Sequence, residues 1–416
     1  MEKYLIKGGR KLSGKISVNS AKNSVLPILA ASILTKEEVI IKNCPKITDV
    51  LNMIKILESV GVKTYFQDEA LIINAKNINS FEIPFQHSKE LRASIYMMSA
   101  LISRVKKAKQ SYPGGCNIGL RPIDYHLKSL KSLGVNISEK ADYLFCSASK
   151  IEGAKIHLDF PSVGATENIM IVSAISYGKT EIHNAAKEPE VVDLMKFLNS
   201  MGAKIYGAGT STILIEGVKK LYGTNFTPAS DRIEAGTYLI SAAITGGEIE
   251  VSNCNAKNIS SLIHKLCDNA CKITMKNDII YLKSGESRKS FSFSTGPYPA
   301  FPTDLQAQTT TLLTVSNGVS IVTENVFDMR YQYVLELKKM GANIDINGRN
   351  AVIGGVSRLH GSDVVAKDLR GGAALVLAGL NAEGDTTVSD IYHIKRGYLD
   401  MDKKLKELGA DITTIV

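Results

Sequence analysis

A cysteine stands between glycines and an arginine in residues 112–126, YPGGCNIGLRPIDYH. Glycine reaches backbone conformations that other residues avoid, so the glycines around Cys116 predict a loop. A nearby cation such as Arg121 lowers the pKa of a thiol, which can then act as a nucleophile or as a proton donor. A structural cysteine more often lies in an apolar strand, as the sequence DYLFCSA predicts for Cys146. We therefore interpret Cys116 as a functional residue.

Charged and polar residues also stand where buried helices are predicted to begin. A helix N-terminus carries unsatisfied N–H groups and a partial positive charge, so it attracts anions. A capping role is sufficient for Ser162 and for Asp304, but a cation at a helix start is unfavourable without an anion nearby. The cations therefore predict an anionic ligand. The helix starts are Lys22-Asn23, Arg92, Ser162-Val163-Gly164, Asp231-Arg232-Glu234, Asp304 and Asp368-Arg370.

An eight-residue pattern that recurs six times indicates how these helix starts are positioned. Self-similarity at a fixed period, here about 70 residues, indicates repeated structural units. Each copy is typical of the end of an amphipathic helix, a left-handed cap and a following strand. The copies are LESVGVKT (57–64), LKSLGVNI (130–137), LNSMGAKI (198–205), LCDNACKI (266–273), LKKMGANI (337–344) and LKELGADI (405–412), and their fifth residues are Gly61, Gly134, Gly202, Ala270, Gly341 and Gly409.

A second helix, rich in Ala, Ser and small aliphatic residues, precedes each copy. Small side chains allow close packing, so these are predicted to be buried inner helices, whereas the charged helix over residues 124–133, which we expect to begin near Pro122, is predicted to lie outside. Alternating segments such as residues 64–75 and 210–217 predict strands after the glycine turn. Each unit is then strand–helix–strand–helix–strand–strand. The predicted inner helices are residues 20–34, 88–102, 162–176, 230–244, 303–315 and 367–380.

The six units predict two similar domains of three units each. A chain of 416 residues exceeds the usual size of one compact core. The segment from Gly14 aligns without gaps with the segment from Gly223, which places Lys22 opposite Asp231. We expect the first domain to be residues 22–230, and the second to be residues 1–21 together with 231–416.

Composition excludes several classes of protein. Hydrophobic residues make up 44% and charged residues 22%, with no apolar run near the roughly 20 residues that span a bilayer. The first residues contain no apolar signal-peptide core, and the six cysteines form no dense framework, so we expect a reducing cytoplasmic location. The net charge is +9, but the basic residues are dispersed without interleaved aromatics, which favours small anionic ligands over nucleic acid.

A zinc site and a nucleotide cofactor are the alternatives that the motifs leave to consider. His264, Cys267 and Cys271 share a helical face, with Cys254 as the nearest fourth ligand. Cys271 nevertheless occupies the small apolar position of the repeat, which favours core packing. The common phosphate-binding glycine motifs are absent, so we expect no metal and no nucleotide cofactor.

Taken in order over the whole chain, the motifs resemble the enolpyruvyl transferase family, in particular its members that act on UDP-N-acetylglucosamine. The resemblance implies an α/β fold of two inside-out barrel domains, each of three βαβαββ units with pseudo-threefold symmetry. It implies transfer of the enolpyruvyl group of phosphoenolpyruvate to the sugar 3-hydroxyl with release of phosphate, the first committed step of peptidoglycan synthesis, without a metal or an organic cofactor. The matching stretches are NSAKNS (19–24), RAS (92–94), PGGCNIGLRPIDYH (113–126), FPSVGATEN (160–168), DRIEAGT (231–237), FPTDLQAQ (301–308), DLR (368–370) and RGY (396–398).

The resemblance also implies roles for individual residues. Cys116 corresponds to a proton donor that can add covalently to phosphoenolpyruvate and that epoxide inhibitors of the fosfomycin type attack. Asp304 corresponds to the base for the sugar hydroxyl, with Asp368 and Arg370 near the reacting carbon. Phosphoenolpyruvate is expected at Lys22, Asn23, Arg121 and Arg396, and the UDP-sugar at Arg92, Arg121, Pro122, Ile123, Asp124, Tyr125, Ser162, Val163, Gly164, Asp304 and Val326.

Two other functions remain to be weighed against this one. The shikimate-type enolpyruvyl transferases share the fold and phosphoenolpyruvate but lack the Gly-Gly-Cys loop. A non-catalytic binding protein on the same scaffold would not need Lys22, Cys116, Asp304 and Arg396 together. The run VFDMRYQY (326–333), Lys395 and Gly371-Gly372 differ from the usual family pattern.

Overall fold

The computed structural model describes residues 2–114, 119 and 123–416. The helices are α1 Lys22–Ala31, α2 Thr48–Ser59, α3 Phe85–Glu90, α4 Ile95–Val105, α5 Asp124–Ser132, α6 Val163–Ser173, α7 Pro189–Ser200, α8 Arg232–Thr245, α9 Ser260–Asp268, α10 Gln306–Leu313, α11 Val334–Lys339, α12 Leu369–Asn381, α13 Tyr392–Lys395 and α14 Met401–Glu407. The strands of the first half are β1 Lys3–Lys7, β2 Ser13–Ser17, β3 Glu38–Ile41, β4 Lys63–Gln67, β5 Ala70–Asn74, β6 Lys107–Ser111, β7 Asn136–Lys140, β8 Tyr143–Ser147, β9 Lys155–His157, β10 Lys179–His183, β11 Lys204–Tyr206 and β12 Thr212–Glu216. Those of the second half are β13 Thr224–Phe226, β14 Glu248–Ser252, β15 Lys272–Lys276, β16 Ile279–Lys283, β17 Phe293–Ser294, β18 Val319–Thr323, β19 Asn343–Asn347, β20 Asn350–Gly354, β21 Asp363–Val365, β22 Asp385–Ser389 and β23 Asp411–Ile415.

Six small sheets repeat one arrangement. In each complete sheet a leading strand runs parallel to the second strand, and the third and fourth strands pair antiparallel, as β17, β18, β20 and β19 do. In the sheet β6-β8-β7, the place of the leading strand is taken by an isolated parallel bridge between Glu82 and Lys109. The predicted α/β repeat is therefore confirmed. The other sheets are β13-β3-β5-β4, β9-β10-β12-β11, β2-β14-β16-β15 and β21-β22-β1-β23.

The repeat positions adopt the backbone conformation that the pattern predicts. All six lie in the left-handed region, where glycine is favoured because it has no Cβ. This confirms the predicted turn between the outer helix and the next strand in every unit. The φ values are 94° at Gly61, 87° at Gly134, 99° at Gly202, 72° at Ala270, 90° at Gly341 and 93° at Gly409.

The small-residue helices are buried, as predicted. Helix α4 packs against α1 and α6, and α8, α10 and α12 pack against one another. All fourteen residues of α8 are buried. A Cβ added at Gly236 would lie 2.6 Å from Leu305 Cδ1, so close packing of α8 requires a glycine there. Of the predicted site residues, Lys22, Ser162 and Asp368 lie at the starts of inner helices.

The chain forms two compact units. Of the described residues, one unit contains 2–19, 119 and 230–416, and the other contains 20–114 and 123–229. Strand β2, which precedes α1, pairs with β14, and strand β13, which precedes α8, pairs with β3. The helix that follows each of these two strands therefore belongs to the other compact unit. We keep the predicted domain bounds, 22–230 and 1–21 with 231–416, as a proposal.

Among the helices that the structure describes, none has both the length and the apolar composition needed to cross a bilayer.

Candidate active site

Asp304 is held between two buried arginines. It lies in the 3-10 turn Thr303–Leu305, directly before α10. Its Oδ1 accepts a hydrogen bond from Arg330 Nη2 at 2.9 Å, and its Oδ2 accepts one from Arg370 Nη2 at 3.1 Å. The Asp304 side chain is 26% exposed, whereas the Arg330 side chain is only 3% exposed. The two guanidinium groups therefore fix the orientation of a carboxylate that a ligand can still reach.

Arg370 is anchored in turn by a buried polar network. Its Nη1 donates to the hydroxyl of Tyr398 at 3.2 Å, and that hydroxyl lies 2.8 Å from Thr237 Oγ1. Gln308 Nε2 also donates to the Tyr398 hydroxyl at 3.2 Å. Burial alone would lower the pKa of Arg370, but the nearby Asp304 charge and Tyr398 outweigh it and raise this pKa. The arginine beside Asp304 is therefore a permanent cation.

Asp368 serves as the N-cap of α12. Its Oδ1 accepts hydrogen bonds from the backbone N–H groups of Arg370 at 2.9 Å and Gly371 at 3.0 Å. Burial and the Arg396 charge lower the pKa of His393, while the Asp368 charge acts in the opposite direction. Arg396 itself is buried directly after α13. The structure thus brings Asp304 and Arg370 into contact and places Asp368 at the N-cap of the same helix as Arg370, while the joint role of these residues with Arg396 stays a prediction.

Lys22 pairs with a carboxylate of the protein itself. It is the first residue of α1, and its Nζ lies 2.8 Å from Oδ2 of Asp49, in the first turn of α2. The side chains are 13% and 2% exposed. The cation at this helix start therefore has an anion nearby without a ligand, so the helix-start argument alone does not establish a ligand at Lys22. Asn23 beside it is partly buried.

The remaining predicted ligand contacts of the first half that the structure describes lie in three places, before α4 and at the starts of α6 and α5. Arg92 lies in a 3-10 turn, Arg92–Ser94, one turn before α4, and its Nη1 donates to the Pro113 carbonyl at 3.4 Å. Ser162 caps α6 by accepting from Ala165 N at 3.3 Å. Val163 and Gly164, which follow Ser162, are partly exposed. Of the run at the start of α5, Ile123 is buried, Asp124 is exposed and Tyr125 is partly buried.

Three predicted site residues lie outside the described residues. They are Cys116, Arg121 and Pro122. The described part of the predicted outer helix begins at Asp124. Their assigned roles therefore stay predictions.

Sequence reasoning missed a polar layer beneath the start of α6. The Tyr96 hydroxyl donates to Oε2 of the fully buried Glu167, and His126 pairs with Asn168. A Cβ added at Gly164 would lie 3.1 Å from His126 Cε1. Burial raises the pKa of Glu167 well above its usual value. The signal that could have indicated this layer is the pair Glu167-Asn168 inside the otherwise apolar helix predicted over residues 162–176.

It also missed the partners of Asp304. Arg330 lies in the run VFDMRYQY, and the buried Glu324 precedes it. Val326, predicted to contact the sugar, donates its backbone N–H to Oε1 of Glu324 at 2.9 Å. No local pattern links residue 304 to residues 324–330, because the contact depends on the fold.

The cysteines considered for zinc are arranged differently. Cys271 is buried in the core, where burial raises its thiol pKa to about 11, whereas His264 and Cys267 are exposed on α9. Within residues 2–114, 119 and 123–416, no group of three or more His, Cys, Asp and Glu side chains is arranged to hold a metal ion. Core packing thus accounts for Cys271.

Known proteins resemble this chain over its full length. The sequence profile of EPSP synthase (3-phosphoshikimate 1-carboxyvinyltransferase) matches residues 6–405. UDP-N-acetylglucosamine 1-carboxyvinyltransferase 2 of Caldanaerobacter subterraneus is 51% identical, with 100% of both chains covered. The protein of that name from Clostridium tetani is 49% identical, again over 100% of both chains.

Solved structures share the fold. The enolpyruvyl transferase NikO from Streptomyces tendae has a TM-score of 0.90 at 23% identity, covering 99% of this chain and 98% of its own. EPSP synthase from Acinetobacter baumannii has a TM-score of 0.78 at 16% identity, covering 100% of each chain. At these identities the structures establish the two-domain inside-out α/β fold, while the full-length sequence relatives establish the family. The chain therefore belongs to the UDP-N-acetylglucosamine 1-carboxyvinyltransferases, within the EPSP synthase family of transferases.

Proposed function

We propose that this chain transfers the enolpyruvyl group of phosphoenolpyruvate to the 3-hydroxyl of UDP-N-acetylglucosamine and releases phosphate, the first committed step of peptidoglycan synthesis. The observation that carries the proposal is the Asp304 carboxylate, fixed by Arg330 and Arg370 yet partly exposed. A carboxylate at hydrogen-bond distance from a hydroxyl can remove its proton in the transition state. Relatives that are 49–51% identical over the whole chain carry the name of this activity.

The reaction proceeds by addition and elimination. Asp304 accepts the proton of the sugar 3-hydroxyl, and the oxygen of that hydroxyl bonds to C2 of phosphoenolpyruvate. Cys116 supplies a proton to C3. The C2–phosphate oxygen bond then breaks, and C3 loses a proton, which restores the double bond in the product. Buried cations such as Arg370 stabilise negative charge on phosphate and carboxylate groups because little water screens them.

The ligand contacts are proposed on the residues that match the family motifs. Lys22, Asn23, Arg121 and Arg396 bind phosphoenolpyruvate, since arginine suits bidentate contact with phosphate and carboxylate. The partly exposed start of α6 offers backbone N–H groups to the diphosphate of the UDP-sugar. The UDP-sugar contacts are Arg92, the run from Arg121 to Tyr125, Ser162, Val163, Gly164, Asp304 and Val326.

Phosphate release tests the reaction directly. We expect release to require both phosphoenolpyruvate and UDP-N-acetylglucosamine, measured by a coupled phosphate assay. Release with shikimate 3-phosphate in place of the UDP-sugar would assign the chain to the shikimate-type reaction instead. Binding of the UDP-sugar without any turnover would favour a non-catalytic binding protein.

Thiol labelling tests the role of Cys116. We expect an epoxide of the fosfomycin type to inactivate the enzyme and to add one adduct, and we expect Cys116→Ala to abolish both effects. Cys267 is an exposed free thiol, so Cys267→Ala is the matched control and should leave inactivation unchanged. An adduct that persists in Cys116→Ala would remove Cys116 from its proposed place.

We also propose a cytoplasmic location. The five described cysteines are all free thiols, which is typical of a reducing compartment. Fractionation of cells with an antibody against the chain would check the location.

A further inference from the structure

Glu324 connects two segments of the candidate site. Its side chain is buried directly after β18. Oε1 accepts hydrogen bonds from the backbone N–H groups of Val326 at 2.9 Å and Phe327 at 3.1 Å. Oε2 accepts one from the hydroxyl of Thr303 at 3.0 Å. One carboxylate thus holds both the segment with the predicted sugar contact, Val326, and the residue before Asp304.

Arg330 holds the same residue from another side. Its Nη2 donates to the backbone carbonyl of Thr303 at 3.2 Å as well as to Asp304 Oδ1 at 2.9 Å. The guanidinium group also lies over the Phe327 ring, 5.5 Å from its centroid. Thr303 is therefore hydrogen-bonded to Glu324 through its hydroxyl and to Arg330 through its carbonyl. We call these three residues, Thr303, Glu324 and Arg330, the Thr303 clamp.

The turn that carries Asp304 is short. The 3-10 helix Thr303–Leu305 is three residues long, and its N-cap Pro302 provides no side-chain hydrogen bond. Such turns have poorer hydrogen-bond geometry than α-helices. A displacement of about 1 Å in a catalytic group can reduce the rate by about a hundredfold. The contacts of Thr303 therefore help to place the backbone of Asp304, while Arg330 and Arg370 orient its carboxylate.

We propose that Glu324 and Thr303 are positioning residues, which set the Asp304 carboxylate at a fixed place relative to the sugar contact at Val326. This inference rests on the proposed function, in which Asp304 removes the proton of the sugar hydroxyl. Because Glu324 binds Val326 and Thr303 with its two oxygens, the place of the sugar and the place of the base are set together. Neither residue needs to touch a substrate for this effect.

Threonine variants test the clamp. Thr303→Val removes the hydroxyl with little change in shape, and Thr303→Ser keeps the hydroxyl. Thr323→Val is the matched control, because the Thr323 hydroxyl bonds to Asn350 Oδ1 at 2.7 Å, outside the clamp and one residue before Glu324. We measure kcat and KM for both substrates by phosphate release, together with the thermal midpoint of each variant.

The expected result separates positioning from general stability. For Thr303→Val we expect kcat to fall about tenfold or more while both KM values change by less than about threefold, since misplacement of the base affects the transition state. Thr303→Ser is expected to recover most of the lost kcat, and Thr323→Val to match the wild type. We expect the losses in Thr303→Val and Glu324→Gln to be less than additive in the double variant, because both changes alter the same hydrogen bond between Thr303 and Glu324.

Other outcomes contradict the inference. A wild-type kcat in Thr303→Val, or a loss that Thr303→Ser does not recover, would exclude positioning through the hydroxyl. Equal losses in Thr303→Val and Thr323→Val would indicate a general effect of removing a hydroxyl from this region. If the wild-type chain releases no phosphate with both substrates, the proposed function fails, and the catalytic role of the clamp fails with it.

Discussion

Ala270 is the exception among the six repeat positions, because the other five are glycines that adopt a left-handed backbone without strain. Ala270 adopts the same left-handed conformation, with φ at 72°. A Cβ in that region approaches the following carbonyl oxygen and costs roughly 1–2 kcal/mol. The chain tolerates this cost because the turn is fixed on both sides by α9 and β15. The repeat pattern is thus imposed by backbone geometry rather than by side-chain contacts.

Exchanging glycine and alanine at equivalent positions tests this account. We expect Ala270→Gly to raise the free energy of unfolding by about 0.5–1 kcal/mol, because relief of strain outweighs the added freedom of the unfolded chain. Gly409→Ala is the mirror experiment, since no atom lies within 4 Å of the position of its added Cβ, and we expect a loss of about 1 kcal/mol. Urea unfolding measures both changes. Changes of the same sign would show that backbone strain is not the cause.

Asp193 predicts a pH dependence of stability. It is buried on α7, where Oδ2 accepts from Ala229 N at 2.8 Å, and burial raises its pKa from 3.8 to about 6. Between these two values the folded chain binds more protons than the unfolded chain, so the contribution of Asp193 to stability falls as the pH rises from 4 to 6. Above pH 6 the full cost of about 3 kcal/mol applies, at 1.36 kcal/mol for each pKa unit.

We expect Asp193→Asn to remove this dependence. The amide oxygen of asparagine can still accept the Ala229 N–H, but it carries no charge to bury. The variant should be more stable than the wild type at pH 7 by up to about 3 kcal/mol and nearly equal to it at pH 4. Urea unfolding at both pH values measures the difference. A gap of the same size at pH 4 would indicate a packing effect instead.

At the residue scale, the sequence indicated candidate site residues but not the residues that pair with them. It indicated Lys22, Asp304, Asp368 and Arg370 from their places at helix starts, because that argument is local. It could not provide Asp49 for Lys22 or Arg330 for Asp304, because these pairs form only when separate elements pack together. The roles of the candidate residues stay predictions until the variants are measured.

At the scale of elements, composition predicted the inner helices but not their interruptions. The predicted helix over residues 88–102 is divided into α3, a 3-10 turn and α4. Leu91 has an extended backbone, with φ at −132° and ψ at 115°, which ends α3 and begins a new turn at Arg92. A small-residue pattern continues through such a break, because it reports burial rather than backbone angles. The break matters, since it places Arg92 beside Pro113.

Helix capping and catalysis can be separated at Asp368. Asparagine is as good an N-cap as aspartate, so Asp368→Asn should keep the stability of α12 within about 0.5 kcal/mol, whereas Asp368→Ala should lose about 1–2 kcal/mol. If the charge of Asp368 acts in the reaction, both variants lose phosphate release. If only the cap matters, Asp368→Asn keeps nearly full activity.

At the scale of the whole molecule, the first strand, β1, closes the sixth sheet by pairing with both β22 and β23, and the sequence did not predict these pairings. In the five other units, the last two strands are joined by a hairpin loop, as β4 and β5 are by residues 68–69. In the sixth sheet, β23 pairs with β1 instead, and β1 also pairs with β22. The sequence predicted that the first strand belongs with the last three units. It could not predict the register, because residues 3 and 415 share no local pattern.

This closure predicts that the chain can be permuted. Lys3 pairs with Ile415, so a two-residue loop between them would complete a hairpin like that of residues 277–278 between Lys276 and Ile279. We propose a permutant in which Asn-Gly, a favoured hairpin loop, joins Ile415 to Lys3 and the chain opens between Ala208 and Gly209, in the largely exposed loop between β11 and β12.

We expect the permutant to fold with a free energy of unfolding within about 2 kcal/mol of the wild type and to release phosphate, because every strand keeps its neighbours. The exposed pair between Lys395 and Glu2 is lost, which costs at most about 1 kcal/mol. Deletion of residues 1–8 is the contrasting variant. It removes β1 from between β22 and β23, so we expect loss of cooperative unfolding and of activity. A truncated chain as stable as the permutant would show that β1 is dispensable and that the sixth sheet does not depend on it.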